Sequence, residues 1–173
     1  MEKISSNIPV LDTAHDYETE EYSVERVTCR GIIVEDNRIL LSHETVEDDW
    51  LIPGGGLEEN ETLEECCIRE VEEEMGFTVR PINQVSTVNL YFKMSKTVNV
   101  SHYFECEIIS ECERRLLDYE IEVGITPEWL ELDKALRIFS KYELYRKENI
   151  SKYYLYSREF LALEHYMKLK GII

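Results

Sequence analysis

Between Gly55 and Phe77, one arginine stands among nine glutamates. Three of these, Glu70, Glu73 and Glu74, are spaced i, i+3 and i+4. On a helix such residues are surface neighbours, and like charges at this spacing are mildly destabilising. Crowded carboxylates also raise one another's pKa. A divalent cation turns that repulsion into binding. A ligand set made only of oxygen suits Mg²⁺ or Mn²⁺ better than zinc. The chemistry within reach is that of a divalent cation held by carboxylates.

Such a site needs elements that hold it. Pro53-Gly54-Gly55-Gly56 supplies a backbone free to adopt φ values closed to other residues. Thr62, with Glu65 three residues on, has the form of a capping box and predicts a helix from about Leu63. Gly76 stands where a left-handed residue would end that helix. At about 100° per residue, Cys67, Ile68, Val71 and Met75 form an apolar stripe that predicts packing on a sheet. Glu70, Glu73 and Glu74 fall on the adjoining face. Trp50-Leu51-Ile52 reads as a short strand delivering the glycines, with Trp50 a packing residue before a stacking one.

Written as spacing, the stretch is G-x5-E-x7-R-E-U-x-E-E-x-G-U, where U is apolar. It is matched by Gly55, Glu61, Arg69, Glu70, Val71, Glu73, Glu74, Gly76 and Phe77. The chain thereby resembles the Nudix hydrolases. The resemblance implies an α/β fold, a mixed and strongly curved sheet between the box helix and C-terminal helices. It implies hydrolysis of a nucleoside diphosphate linked to another moiety, by attack of water on phosphorus. By motif position it makes Glu70, Glu73 and Glu74 the metal ligands, joined by a backbone carbonyl of Gly54 or Gly55. It gives Arg69 the task of orienting the glutamates, and Glu61 that of supporting loop and helix. It also implies one further carboxylate, from the loop before Trp129, as general base or extra ligand. Glu120 and Glu122 are the candidates, Glu70 is the rival base, and Glu105 and Glu107 are outsiders. Two positions depart from the common pattern. Asn60 replaces a glycine but tolerates left-handed backbone. Cys66 replaces an alanine-like residue and reads as a buried small hydrophobe.

The 173 residues suit one domain with one proper core. Residues 1–20 read as a polar, acidic arm, and 21–173 as the domain, with a helical extension at about 149–170. A net charge of −17 argues against a duplex nucleic-acid partner, which requires a basic footprint. A small nucleotide-diphosphate substrate stays compatible if a metal and local Lys or Arg supply positive charge. No apolar run has the length of a membrane span, and a basic-then-apolar leader is absent from the N-terminus of the sequence. Five cysteines without a CxxC fit neither a disulfide framework nor zinc, so a cytoplasmic protein is expected.

Strand, turn, strand is expected from Arg26 to His43 about Glu35-Asp36-Asn37. A hairpin is expected about Lys93–Lys96, and helices from about Asp133 and Asn149. Tyr153, Tyr156, Phe160, Leu163 and Met167 recur at helical spacing, for packing on the domain or for a homodimer contact. The alternative to catalysis is a silent Nudix-like module that binds or senses a nucleotide. The complete set of box glutamates and its arginine favour the enzyme.

Overall fold

Asp36 and Asn37 both adopt left-handed backbone, with φ of 48° and 62°. A two-residue turn of that hand matches strand twist and makes a hairpin of β2 (Ser23–Glu35) and β3 (Arg38–Glu44). The two strands pair only beside the turn, at Val34–Ile39 and Glu35–Arg38. Beyond that they splay. The computed structural model describes residues 8–13 and 21–173, and its remaining strands are arranged around this splay.

On one arm, β2 pairs in parallel with β7 (Thr97–Glu111), which pairs antiparallel with β6 (Phe77–Phe92). On the other arm, β3 pairs antiparallel with β8 (Ile125–Glu131) along its whole length. Two short strands fill the wedge: β4 (Asp49–Leu51) pairs with β3, and β5 (Gly54–Gly56) pairs with β2. Ile52 and Pro53 are the crossing between the two arms. The glycines, expected as loop, are therefore a strand, with Gly54 opposite Arg30 and Gly55 opposite Cys29.

Helix α1 (Leu63–Met75) starts at the Thr62–Glu65 capping box and ends at left-handed Gly76, whose N–H donates to Glu72 O. It lays Cys66, Cys67, Val71 and Met75 on Cys29, Ile33, Val79, Phe104 and Cys106. Full burial of an aliphatic such as Val71 contributes about 1.5–3 kcal/mol. Cys66 is among the fully buried residues, as expected of a small hydrophobe. Asn60 does take left-handed backbone, with φ of 63°.

The opposite face is covered by α3 (Leu132–Phe139) and α4 (Ile150–Leu169). Phe139, Tyr156, Ala162, Leu163 and Met167 pack there on Ile32, Val85, Val88 and Tyr103. The C-terminal extension thus packs on its own domain. Between β7 and β8, where sequence predicted a loop, Asp118–Val123 form a short helix, α2. Most of the 1–20 arm lies outside the described residues; within it, Val10–Asp12 form β1, parallel to β6. Among the described residues no helix is long and apolar enough to cross a membrane.

Candidate active site

The splay of β2 from β3 opens a cavity of about 400 Å³, walled by β5, α1, α2 and the diverging ends of the two strands. The capping box and Gly76 fix the length of α1, and the buried Val71 stripe fixes its rotation. Together these carry Glu70, Glu73 and Glu74 to the cavity wall beside Gly54–Gly56.

Gly54 has φ of 149°, and a Cβ there would stand 2.1 Å from Cys29 O and 2.7 Å from Arg30 Cα. Only glycine fits this strand beside β2. At Gly55 a Cβ would instead meet the Glu70 carboxylate at 2.4 Å, so a side chain there would displace Glu70.

Arg69 binds the rest together. Its Nε and Nη2 donate to the two oxygens of Glu61 at 2.7 and 3.0 Å, a bidentate fork. Nη1 donates to Glu70 Oε1 at 2.8 Å and Glu73 Oε2 at 3.4 Å, and Nη2 to Gly56 O at 2.9 Å. Glu61 also accepts from Glu58 N–H at 3.1 Å. The Arg69 hydrogen bonds hold Glu61 below the usual carboxylate range, and the Glu61 partnership raises the Arg69 pKa. Arg69 and Glu61 therefore join helix to glycine strand.

Glu74 is 7% exposed and accepts from Gly54 N–H at 3.2 Å. Burial pushes its pKa up to about 8; Arg30 and the Gly54 N–H oppose the shift, while Glu70 and Glu120 add to it. Burial also raises Glu70, against the hydrogen bond from Arg69.

Of the two loop candidates, only Glu120 reaches the cavity. It is buried, with Oε2 accepting from Leu117 N–H at 2.7 Å and Oε1 from Tyr119 Oη at 3.1 Å. Glu122 is exposed and does not line the cavity. The pair is separated because α2 turns successive residues about 100° apart. Glu105 pairs with Lys170, and Glu107 with Arg80, both away from the cavity. Trp50 stacks on His43, with centroids 3.8 Å apart, and takes no part in the cavity wall.

Among the cavity-lining residues to which sequence reasoning gave no part in the site are Arg26, Arg30, Ser42 and Glu44. Ser42 and Glu44 share a face of β3 by the two-residue period of a strand. That alternation was the only signal available, and it did not show which face would meet a cavity. Among the described residues, buried Ser42 Oγ has no hydrogen-bond partner, and burial raises the Glu44 carboxyl. Arg30 sends Nη1 to Ile52 O at 2.7 Å, and its buried Nε has no partner among the described residues.

Glu44, Glu58, Glu70, Glu73, Glu74 and Glu120 thus share one cavity, whose basic residues among the described ones are Arg26, Arg30 and Arg69. The donors are all hard oxygens, and Glu70 and Glu120 add to the upward shift that burial gives Glu74. In chemistry they fit Mg²⁺ or Mn²⁺. Among the described residues no three His, Cys, Asp or Glu side chains converge closely enough to hold an ion. Arg69 draws Glu70 Oε1 and Glu73 Oε2 towards itself, and Gly54 N–H holds Glu74 Oε2.

A splayed mixed sheet, a box helix and a glycine strand closing an acidic cavity define a class: the Nudix fold. The NUDIX domain profile matches residues 25–153, and the chain belongs to that family. A Bacillus subtilis protein provisionally named an ADP-ribose pyrophosphatase is 28% identical over 104 residues, 60% of this chain and 48% of that one. The chain thus spans about half the length of that relative. Mouse diphosphoinositol polyphosphate phosphohydrolase 3-alpha is 25% identical over 120 residues, covering 68% of this chain and 69% of its own. The structure of a NUDIX hydrolase from Nitrosomonas europaea superposes with a TM-score of 0.62 at 24% identity. It covers 86% of this chain and 95% of the other, a likeness of fold.

Proposed function

We propose that the chain hydrolyses the phosphoanhydride of a nucleoside diphosphate linked to another moiety, and that Mg²⁺ or Mn²⁺ is required. The observation that carries this reading is the delivery of Glu70, Glu73 and Glu74 by one helix to a cavity closed by Gly54–Gly56. Glu70, Glu73 and Glu74 would hold the metal, together with the carbonyl of Gly54 or Gly55. When bound, a divalent cation supplies charge neutralisation on the phosphate oxygens and a lowered pKa for water.

The protein groups do the rest. Arg69 and Glu61 keep α1 in register with the glycine strand, so that the carboxylates and the Gly54 and Gly55 backbone face one space. Arg26, exposed at the cavity wall, and Arg30 are placed to meet phosphate oxygens that the carboxylates would repel. Glu120, beside Glu74 within the cavity, is the base candidate to take a proton from the attacking water. The relatives' names divide between a nucleotide sugar and a diphosphoinositol polyphosphate, consistent with a site that reads the diphosphate rather than what it is attached to.

A panel of ADP-ribose, nucleotide sugars, dinucleoside polyphosphates, oxidised nucleoside triphosphates, coenzyme conjugates and diphosphoinositol phosphates, with Mg²⁺ and with Mn²⁺, tests the reading. Turnover of at least one nucleoside diphosphate derivative is expected, and Glu74→Gln should abolish it. The amide is nearly isosteric with the protonated carboxyl, so the fold should survive. Near-normal rates in Glu74→Gln, or no turnover of any compound, would overturn the proposal; the latter would favour a silent binding module.

A further inference from the structure

The crossing from β4 to β5 carries four backbone polar groups ahead of the glycine carbonyls, and side chains or strands from three elements hold them. Ile52 N–H donates to Glu159 Oε2 at 3.0 Å. Ile52 O accepts from Arg30 Nη1 at 2.7 Å. Pro53 O accepts from Gly31 N–H at 2.9 Å. Gly54 N–H donates to Glu74 Oε2 at 3.2 Å. The first of these contacts comes from α4, on the far side of the sheet from α1.

Glu159 is an unusual residue to find there. It is fully buried in a helix otherwise packed through Tyr156, Ala162, Leu163 and Met167. A buried carboxylate is tolerated only when paired and hydrogen-bonded. Here Oε1 accepts from Arg158 Nε and Nη2 at 2.8 and 2.5 Å, and from Tyr103 Oη at 3.2 Å. That leaves Oε2 for the Ile52 amide. Arg158, 4% exposed, Tyr103 and Glu159 hold one another with no contact to the cavity. If they only anchored α4, an apolar packing pair would serve as well. What an apolar pair cannot supply is an acceptor fixed in space for a backbone N–H.

From these distances we infer that Glu159 is a positioning residue for the hydrolysis. Its Oε2, locked by Arg158 and Tyr103, sets the Ile52 amide. Through Pro53 it sets the Gly54 N–H against Glu74 and the direction of the Gly54 carbonyl. The assignment rests on reading the cavity as a pyrophosphohydrolase site. It gives the C-terminal helix a part in the chemistry although none of its side chains lines the cavity.

Two conservative variants separate this role from a merely structural ion pair. Glu159→Gln keeps the length of the side chain but has one acceptor oxygen, so it cannot serve the Ile52 amide and the Arg158–Tyr103 pair at once. Glu159→Asp keeps the charge beside Arg158 and gives up one methylene of reach. With the best substrate of the panel, Glu159→Asp should lower kcat about tenfold or more with KM within about threefold, because small misplacements near reacting groups are costly. Hydrogen exchange of the Ile52 amide should be about tenfold faster in the same variant. Glu159→Gln should likewise lower kcat about tenfold or more with KM within about threefold and speed Ile52 exchange, because its single acceptor oxygen cannot serve both sides. Wild-type kcat and exchange in Glu159→Asp would overturn the assignment. So would a Glu159→Gln that keeps wild-type kcat and Ile52 exchange, since one acceptor oxygen would then suffice. If the wild type turns over nothing, the hydrolase reading fails by itself, and Ile52 exchange in the two variants still decides whether the clamp exists.

Discussion

One methyl group placed at each of two adjacent glycines should give opposite outcomes. In Gly54→Ala the new Cβ meets Cys29 O at 2.1 Å and Arg30 Cα at 2.7 Å, both backbone atoms of a central strand. A carbon and a carbonyl oxygen cannot approach so closely, and β2 cannot retreat because β7 holds it from Ser23 to Ile33. Backbone with φ of 149° adds about 1–3 kcal/mol of strain for a residue with a side chain. With the disrupted β5 pairing, a loss of roughly 3–5 kcal/mol is expected. In Gly55→Ala the Cβ meets only the Glu70 carboxylate, at 2.4 to 2.7 Å, the far end of a flexible side chain. Glu70 can swing aside, so stability should fall by about 1 kcal/mol or less, while turnover falls because a carboxylate has left its place. Urea denaturation of the two variants measures the first quantity, and kcat on the best panel substrate measures the second. Equal stability losses, or a Gly55→Ala enzyme with wild-type kcat, would refute the view that Gly54 serves the backbone and Gly55 serves Glu70.

Glu120→Gln should lower kcat by about 10²-fold or more with little change in KM, while exposed Glu122→Gln stays near wild type; full activity in both would remove α2 from the mechanism. Chelation with EDTA should abolish turnover, and Mg²⁺ should restore it and raise the melting temperature with concentration, as mass action requires. His43 supplies a pH test. Burial alone would lower its pKa, but hydrogen bonds with Glu128 at 2.6 Å and Asp48 at 2.9 Å outweigh burial and raise it. A raised folded-state pKa gives stability that is fully present below about pH 6.5 and lost as pH rises through the folded value. Wild type should therefore be more stable than His43→Gln at pH 6, by about 1 kcal/mol or less because Asp48 is exposed, and that advantage should shrink by pH 8.5. Parallel urea curves at the two pH values check it, and an advantage that grows with pH would contradict the sign.

The sequence was most legible where structure is local. The Thr62–Glu65 box, the Gly76 stop and the stripe of Cys67, Val71 and Met75 predict α1 and the side of it that turns to the cavity. Asp36-Asn37 predicts the hairpin for a similarly short-range reason. Long-range relations were not legible. Arg30 and Glu44 enter the cavity only because β2 and β3 separate beyond their turn, which no local period reports. Glu120 was distinguishable from Glu122 only once α2 existed, and a six-residue helix leaves too short a pattern to read. Arg158 and Glu159 look like a solvated pair in a helix. Their burial depends on Tyr103 and Ile52, 56 and 107 residues away in sequence.

The acidic cavity belongs to a protein of net charge −17, and this sets the terms on which a ligand arrives. A diphosphate approaching such a surface climbs a repulsive long-range potential, the reverse of the attraction that usually speeds capture. Mobile ions screen that repulsion over about 8–10 Å at moderate ionic strength. Added salt therefore favours encounter here, where it ordinarily slows it. A diphosphate escorted by its own counterion approaches against a smaller opposing field than a bare one, so the ionic composition of the medium acts as a throttle on the enzyme before any contact is made.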